Sequence, residues 1–477
     1  MEVRDLEPKI LWNNFEDLNA VPRPSKKEER IIQFVKEFEE SLNLETYVDK
    51  IGNVIIKKDA TPGMENRKTI ILQSHIDMVH QKNSDTDFDF DTQGIQSYID
   101  NDWVKAKGTT LGADNGIGAS AMMSVLASND ISHPTIEALF TIDEETGMTG
   151  AFNLEMGILK GKVMLNLDTE DHDEFSIGCA GGVDTNTKYE YATTVPSDTT
   201  KAYKISIRGL KGGHSGMDIH LERGNANKIM NRLIANASKY GLQVAEIDGG
   251  SLRNAIPRES FAIITLEDDT FLSLFKDRVS GIKDEFSIAD ADLEIIIEPT
   301  EKPSEVMTMG DVEKMTNAIT AVHNGVYRMS MAIPDLVETS SSLARVIVKD
   351  GMFKTQSLQR SSVDTSKDDV AATIGAPFHL MGAKVEHTGS YPGWAPNPNS
   401  EILDLMVEKY TTSFGEKPKV AACHAGLECG ILGERYPGVD MISFGPTIKN
   451  PHSPDEKVNI PSVSKFWGFL LDILKDA

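Results

Sequence analysis

The hydrophobic positions of this chain change period along its length, and each period predicts an element. Ile31, Phe34, Val35 and Phe38 recur at the spacing of one helix face, which predicts a helix that ends before Asn43. Short continuous apolar runs follow, separated by helical stretches, and such runs are typical of buried parallel strands. The predicted strands are residues 69–72, 136–142, 163–167 and, less cleanly, 441–444.

The pattern changes after residue 183. Alternating segments such as AYKISIRGL and FAIITLE, with the amphipathic stretch NANKIMNRLIANASKY, indicate an α+β region, and GSYPGWAPNPNS marks its end. The chain has 477 residues, which exceeds what one core normally sustains. We therefore predict the α/β class: a domain with a mostly parallel sheet flanked by helices, formed by residues 1–183 and 391–477 and interrupted by an inserted α+β domain over residues 184–390.

Carboxylate and imidazole side chains follow most of these apolar runs. They lie in the segments HIDMV, GADNGIG, DEETGMTGA, NLDTED and PHSPDE. Functional groups in open α/β sheets gather beyond the carboxyl ends of the strands, so we expect these segments to converge. The candidate residues are His75, Asp77, Asp114, Glu144, Glu145, Asp168 and His452.

Imidazoles and carboxylates together suit two divalent metal ions that activate a water molecule for hydrolysis. We predict that Asp114 lies between the two metals. His75 and Asp168 would then bind one metal, and Glu145 and His452 the other. The residue types do not distinguish zinc from cobalt or manganese.

Two further carboxylates have predicted catalytic roles. Asp77 lies two residues beyond His75 and is placed to accept the second ring N–H of that histidine, which fixes its tautomer. Glu144, next to Glu145, is the predicted general base for the water. The whole set predicts a hydrolase.

Each motif by itself has a simpler interpretation. The Glu144-Glu145 pair is also compatible with a solvated surface, and His75 with a structural role. Asp114 could cap a helix over residues 117–128. The glycines at 112, 116 and 118 resemble part of a phosphate loop, but no Gly-Lys-Ser/Thr follows and GxGxxG is absent, so nucleotide binding is not favoured.

The composition argues against several classes of protein. The chain is 40% hydrophobic and 25% charged, as in ordinary globular proteins, with a formal net charge of −25. This charge argues against nucleic acid or an anionic membrane as a partner. The three cysteines predict a reducing compartment, and no apolar stretch reaches the roughly 18 residues of a membrane helix. Since the amino terminus does not read as a secretory signal, we expect a cytoplasmic protein.

Six segments in fixed order resemble those of the dinuclear-zinc metallopeptidase family that includes aminoacylases, glutamate carboxypeptidases and dipeptidases. They are HIDMV, GADNGIG, DEETGMTGA, NLDTED, GGHSG and PHSPDE, and the resemblance runs from the first helix almost to the end. It implies two divalent metal ions, with zinc as the expected metal, on the ligands predicted above. It also implies that Asp77 and Glu144 are the catalytic carboxylates. It also implies that the insert is a lid domain through which the chain forms a homodimer.

The resemblance adds residues that spacing does not single out. His214, in KGGHSG, would stabilise the oxyanion, while Asn254, Arg360 and Gly426 would bind the terminal carboxylate of the substrate. Physically, the neighbouring glycines free the backbone at His214 for a close approach, and an imidazolium is a suitable donor. A glycine-rich turn with an exposed histidine, and a surface arginine, are the simpler alternatives.

The expected activity is therefore hydrolysis of dipeptides with a free C-terminal carboxylate, including Xaa-His dipeptides. One alternative is an amidase or deacylase for N-acyl amino acids, because the metal site does not specify the acyl group. Another is a non-catalytic metal-binding relative.

Overall fold

A computed structural model describes residues 2–331, 333–397 and 399–477, and for Glu39 the backbone only. The chain divides into two compact units. The first consists of residues 2–178, Pro396–Ala422 and Leu427–Ala477, and the second of Cys179–Ala395 and Cys423–Gly426. The second unit is therefore an insertion in the sequence of the first.

The helices and strands are numbered in chain order. The α-helices are α1 (Lys9–Asn19), α2 (Glu29–Leu42), α3 (Ala113–Ala127), α4 (Glu144–Gly147), α5 (Thr149–Asn153), α6 (Ala226–Ile234), α7 (Phe271–Glu285), α8 (Met309–Ala321), α9 (Asp364–Leu380), α10 (Glu401–Phe414), α11 (Glu428–Arg435) and α12 (Ile460–Asp476). The strands up to the end of the insertion are β1 (Glu45–Val48), β2 (Val54–Lys58), β3 (Ile70–His75), β4 (Ser97–Asp100), β5 (Trp103–Ala106), β6 (Ile136–Thr141), β7 (Val163–Asn166), β8 (Glu174–Cys179), β9 (Gly181–Glu190), β10 (Thr193–Thr194), β11 (Lys201–Arg208), β12 (Gln243–Gly249), β13 (Ser260–Leu266), β14 (Glu294–Pro299), β15 (Val306–Met307), β16 (Gly325–Met329), β17 (Val337–Lys349), β18 (Met352–Ser361) and β19 (Lys384–Tyr391). The remaining strands are β20 (Lys419–Cys423), β21 (Asp440–Ser443), β22 (Ile448–Lys449) and β23 (Lys457–Asn459).

The main sheet of the first unit is mixed. Its eight strands run in the order β1-β2-β6-β3-β7-β21-β8-β20. The central strands β6, β3, β7 and β21 are parallel to one another, and β2 and β8 pair with this centre in antiparallel fashion. In the shared register His75 lies opposite Thr141, so β3 and β6 end at the same edge.

The predicted elements of this unit are confirmed. The apolar runs form β3, β6, β7 and β21, and every residue of β3, β6 and β7 is buried. The helix predicted to end before Asn43 is α2. A smaller four-stranded sheet, in the order β22-β23-β5-β4, carries the segment that contains His452.

The second unit is an antiparallel sheet covered by helices. Its nine-stranded sheet runs β14-β11-β13-β12-β17-β18-β9-β19, with β16 beside β17. Apolar side chains of α6 to α9 and of the sheet form one core. The segments that predicted strands and a helix form β11, β13 and α6, and the side chain of Asn225 caps the first turn of α6.

The boundaries that we placed from the sequence, 183/184 and 390/391, fall inside β9 and β19. Contacts place the division at 178/179 and 395/396, and they assign Cys423–Gly426 to the second unit. The division by contacts therefore falls at the last residue of β8 and four residues beyond the end of β19. In the described part of the chain, no helix has the length and apolar character needed to cross a membrane.

Candidate functional site

The candidate ligands lie where strands of the first unit end. His75 is the last residue of β3, and Asp168 lies two residues beyond β7. Glu145 lies in α4, just after β6, and His452 lies in the turn between β22 and β23. Residues that are hundreds of positions apart in the sequence are thus brought together.

Asp114 lies between two histidines. Its Oδ1 is 3.2 Å from Nε2 of His75, and its Oδ2 is 3.3 Å from Nε2 of His452. Each histidine has a second carboxylate beside it: Oδ1 of Asp168 is 3.5 Å from Nε2 of His75, and Oε2 of Glu145 is 3.0 Å from Nε2 of His452. The arrangement is two imidazole–carboxylate groups that share the carboxylate of Asp114.

This donor set fits two divalent metal ions. Ligand atoms at about 2.0–2.1 Å from a tetrahedral zinc ion lie about 3.3 Å from one another, which is the spacing found here. Oε1 of Glu145 is buried and receives no hydrogen bond from any described residue, as expected of an atom that binds a cation. Hydrogen bonds to Asp114 and Glu145 raise the pKa of His452 to about 11, so metal binding here must displace a proton.

Asp77 contacts His75 on the side of the ring away from Asp114. Its Oδ1 is 3.3 Å from Nδ1 of His75. Its carboxylate also accepts hydrogen bonds from the backbone N–H groups of Glu144 (3.1 Å) and Glu145 (3.3 Å) and from the hydroxyl of Ser25 (2.8 Å). One carboxylate therefore orients the His75 ring and the backbone of both glutamates.

A tight turn presents Glu144. Asp143 and Met148, on either side of α4, have φ values of 52° and 50°, and the carboxylate of Asp143 accepts hydrogen bonds from the hydroxyls of Thr146 and Thr149. Burial, with the nearby charges of Asp168 and Glu145, raises the pKa of Glu144 well above its usual value. A carboxylate of this kind is suited to take a proton from water.

Two supporting residues were missed from the sequence. Nδ2 of Asn115 donates to Oδ1 of Asp168 at 2.5 Å, and its position beside Asp114 in GADNGIG was the available signal. Arg23, in a segment without a motif, is buried and donates to the carbonyl groups of Asp77 (3.1 Å) and Gly112 (2.6 Å).

Arg23 also explains two of the three clustered glycines, Gly112 and Gly116. A Cβ atom on Gly112 would lie 2.5 Å from Nη2 of Arg23, and one on Gly116 would lie 2.7 Å from the same atom. Gly112 also has a φ of 70°. These glycines make room for a buried guanidinium group, which gives them a function other than cradling phosphate.

His214 and Arg360 meet in the second unit. Nη2 of Arg360 lies 3.3 Å from Nε2 of His214, and Nη1 donates to the hydroxyl of Tyr391 at 3.0 Å. Arg360 is buried, and its Nε has no hydrogen-bond partner among the described residues. A Cβ atom on Gly216 would lie 3.0 Å from Nε of Arg360, so this glycine allows the His214 loop to approach the guanidinium group.

His214 is a neutral imidazole in this environment, and our expectation of an imidazolium was wrong. Its Nδ1 accepts hydrogen bonds from the backbone N–H groups of Met217 (2.9 Å) and Gly216 (3.3 Å), so Nδ1 carries no proton. Burial, and then the charge of Arg360, lower the pKa of His214 to about 4. The proton of the neutral ring is therefore on Nε2, and it points towards a second donor.

The other two substrate candidates lie near this pair. The backbone carbonyl of Asn254 accepts a hydrogen bond from the N–H of Ser215 at 2.8 Å, and the Asn254 side chain is exposed. Gly426 lies in the Cys423–Gly426 segment, whose His424 carbonyl is 2.0 Å from where a Cβ atom of Gly216 would be. All four residues lie in the second unit: His214 and Arg360 are in contact, and Asn254 and Gly426 lie in segments that adjoin the His214 loop.

A model of peptidase family M20/M25/M40 matches residues 71–476. The chain belongs to this family. The resemblance to metallopeptidases stated from the six segments is therefore confirmed, as is the α/β class with an inserted α+β domain. Members of this family are hydrolases, and the residues gathered around Asp114 lie within the matched range.

Two relatives cover nearly the whole chain. The cytosol non-specific dipeptidase of Escherichia coli strain K12 is 40% identical over 479 residues, covering 100% of this chain and 99% of the relative. A crystal structure of aminoacylhistidine dipeptidase from Vibrio alginolyticus is 44% identical, with a TM-score of 0.93, covering 100% of this chain and 98% of that one. Aminopeptidase PepT from Bacillus cereus shares the fold at 17% identity, with a TM-score of 0.63 and 98% of each chain covered.

Proposed function

We propose that this protein is a metal-dependent dipeptidase that hydrolyses dipeptides with a free C-terminal carboxylate, Xaa-His dipeptides included. The observation that carries the proposal is the position of Asp114, whose two oxygens face His75 and His452 at 3.2 and 3.3 Å. The two full-length relatives are both named as dipeptidases, and this favours dipeptides over N-acyl amino acids.

We assign two zinc ions to this set. His75 and Asp168 would hold one, Glu145 and His452 would hold the other, and Asp114 would be shared between them. Metal ions held there polarise the scissile carbonyl group and lower the pKa of the attacking water. Metal analysis of the purified protein tests the assignment, with two zinc ions per chain as the expected content; cobalt or manganese at two per chain would keep the site and change its metal.

The carboxylates of the first unit divide the remaining work. Glu144 takes the proton of the attacking water and returns it to the leaving amine. Asp77 keeps His75 in the tautomer whose Nε2 is free for the metal, because the backbone carbonyl and the carboxylate of Asp77, 3.2 and 3.3 Å from Nδ1, hold the proton there.

The second unit supplies the groups that recognise negative charge. His214 donates Nε2–H to the developing oxyanion, and Arg360 binds the terminal carboxylate of the dipeptide through its planar guanidinium group. Asn254 and Gly426 complete this pocket, Asn254 through its exposed side-chain amide and Gly426 through a backbone that a substrate can approach closely. Two donors 3.3 Å apart can both reach an anionic oxygen beside them, which supports this assignment.

We further propose that the protein is a cytoplasmic homodimer formed through the inserted unit. The nine-stranded sheet ends in β14 and β19, and both strands are largely exposed, so their backbone groups are available to pair with a second chain. The cytosolic name of the Escherichia coli relative supports the location. Sedimentation should give about twice the chain mass of 52.4 kDa.

Substrate turnover by metal-stripped protein, before and after zinc is added, tests the activity. The panel contains Xaa-His and other dipeptides, the same dipeptides with an amidated C-terminus, and N-acetyl amino acids. We expect zinc to restore cleavage of the free dipeptides only. Cleavage of N-acetyl amino acids alone would identify a deacylase, and no cleavage of any substrate would identify a non-catalytic relative.

A further inference from the structure

Glu456 holds the loop that carries Asp114. It lies four residues after His452 and is 2% exposed. Its Oε2 accepts hydrogen bonds from the backbone N–H groups of residues 111 and 112, at 2.7 and 3.0 Å. Its Oε1 accepts those of residues 113 and 114, at 2.8 and 3.2 Å. Four consecutive backbone N–H groups therefore donate hydrogen bonds to one carboxylate.

Residues 113 and 114 begin α3 and residues 111 and 112 precede it, so none of the four N–H groups has an acceptor within the helix. The first N–H groups of a helix point outwards, and a side chain at the N-cap usually accepts one of them. The N-cap of α3 is Gly112, which has no side chain, and Asp114 and Asn115 depart from helical φ/ψ values. Glu456 supplies the missing acceptors from a distant part of the chain.

Arg23 fixes the same loop through a carbonyl group. Its Nη2 donates to the oxygen of Gly112 at 2.6 Å, while Nη1 donates to the oxygens of Ile76 (3.2 Å) and Asp77 (3.1 Å). The loop of Asp114 is thus tied to the segment of His75 by Arg23 and to the segment of His452 by Glu456. These are the two histidines that face the oxygens of Asp114.

We propose that Glu456 is a positioning residue for metal binding: it holds the 111–114 loop so that the two oxygens of Asp114 face the two metal positions. This inference rests on the metal site proposed above. Glu456 itself touches neither metal nor substrate. Loss of Glu456 should weaken metal binding, because a displaced Asp114 carboxylate would no longer be placed to bind both metals.

The test is the zinc affinity of the Glu456→Gln variant, measured on the metal-stripped full-length protein by competition with a chelating dye. Glutamine keeps one acceptor oxygen but turns an NH₂ group towards two of the four N–H donors. We expect zinc to bind roughly 10–100-fold more weakly than to the wild type, the range typical of residues that support ligands.

Glu137→Gln is the matched control. Glu137 is 3% exposed, and its Oε2 accepts the backbone N–H groups of Lys160 (2.7 Å) and Gly161 (2.9 Å). It lies in β6 four residues before Thr141, about 13 Å from the edge where the ligands gather, at about 3.3 Å per residue. This variant loses the same kind of buried carboxylate, and we expect its zinc affinity to stay within about twofold of the wild type.

The outcomes separate the inference from the function on which it rests. Zinc affinity of Glu456→Gln within about twofold of the wild type overturns the inference and leaves the metal site in place. An equal loss in Glu137→Gln also overturns it, because the effect is then general. A wild type that binds no zinc overturns the proposed function instead.

Hydrogen exchange of the metal-stripped wild type tests the inference without any variant. If Glu456 holds the loop, the amides of residues 111–114 exchange as slowly as those of β3 in the absence of metal. If these amides exchange rapidly until zinc is added, the metal orders the loop and Glu456 does not. This measurement is decisive also when Glu456→Gln fails to fold.

Discussion

Nη2 of Arg360 lies 3.3 Å from Nε2 of His214, and both atoms are hydrogen-bond donors. Nδ1 of His214 accepts hydrogen bonds from two backbone N–H groups, so the ring proton is on Nε2. The guanidinium group of Arg360 has only donors and no acceptor. Two donors this close can both reach one anionic oxygen that lies beside them. Under the proposed function, that oxygen would belong to the substrate carboxylate or to the transition state.

Replacement of Arg360 should therefore act on substrate affinity. For Arg360→Ala we expect kcat/KM for a free dipeptide to fall about 30-fold or more, mainly through KM, since removing one partner of a buried charge pair costs about 2 kcal/mol or more. Arg345→Ala is the control, because Arg345 is in the same unit and pairs with Asp248 at 2.6 Å. Equal loss in both variants, or a loss confined to kcat, would contradict carboxylate binding by Arg360.

Glu144→Gln should abolish turnover and leave metal binding intact. The amide cannot accept a proton from water, so we expect kcat to fall about 10²–10⁴-fold, the usual contribution of a general base. Metal content by elemental analysis should equal that of the wild type. The control is Glu155→Gln, a glutamate outside the site that bonds to the hydroxyl of Tyr47. Turnover within about tenfold of the wild type would rule out Glu144 as the base.

His214 should remain a neutral imidazole at mildly acidic pH. Because burial and Arg360 lower its folded pKa to about 4, the ring stays neutral where an unfolded histidine, near pH 6.5, has gained its proton. The unfolded state then binds more protons, so His214 lowers stability as pH falls from about 6.5 to 4.

Nitrogen NMR of histidine-labelled protein measures this directly, with His214→Asn to assign the signal. We expect a neutral ring protonated on Nε2 at pH 6, and a smaller loss of stability between pH 6.5 and 4 in the variant than in the wild type. A ring that is charged at pH 6 would contradict the assignment of the neutral tautomer.

Glu428 should make stability depend on pH in the opposite direction. Its side chain is fully buried, Oε2 accepts hydrogen bonds from Gln73 (2.7 Å) and Thr141 (2.6 Å), and burial raises its pKa to about 8. Between about pH 4.5 and 8 the folded state keeps a proton that the unfolded state has lost, so this group makes the protein less stable as pH rises.

Glutamine copies the shape of the protonated acid and does not ionise. We expect the melting temperature of metal-stripped Glu428→Gln, relative to the wild type, to rise steadily from pH 5 to pH 8. Scanning calorimetry of both proteins at several pH values measures the difference. A difference that does not change with pH would show that Glu428 ionises normally in the folded state.

Much of the first unit could be predicted from local patterns. The apolar runs before His75, Glu144 and Asp168 identify parallel strands because a strand buried on both faces must be apolar throughout. The ligand types followed from the short motifs at the ends of these runs. The domain boundaries were predicted less well, because strands β9 and β19 each run across a position where the sequence pattern changes.

The supporting residues could not be identified from spacing. Arg23 lies in no motif, and its supporting role depends on hydrogen bonds to three carbonyl oxygens from two other loops. The neutral state of His214 was also out of reach, because it depends on the N–H groups that meet Nδ1 and on the charge of a residue 146 positions away.

The sequence by itself determined the family, the α/β class with its insertion and the chemical types of the candidate ligands, because periodicity and short motifs are local properties of the chain. Only the tertiary structure decided which atoms meet. Asp114 faces both His75 and His452, and Glu456 accepts four N–H groups more than 340 residues away, because strand register and loop conformation fix these distances. Contacts of this kind depend on the packing of distant segments, and no local pattern encodes them.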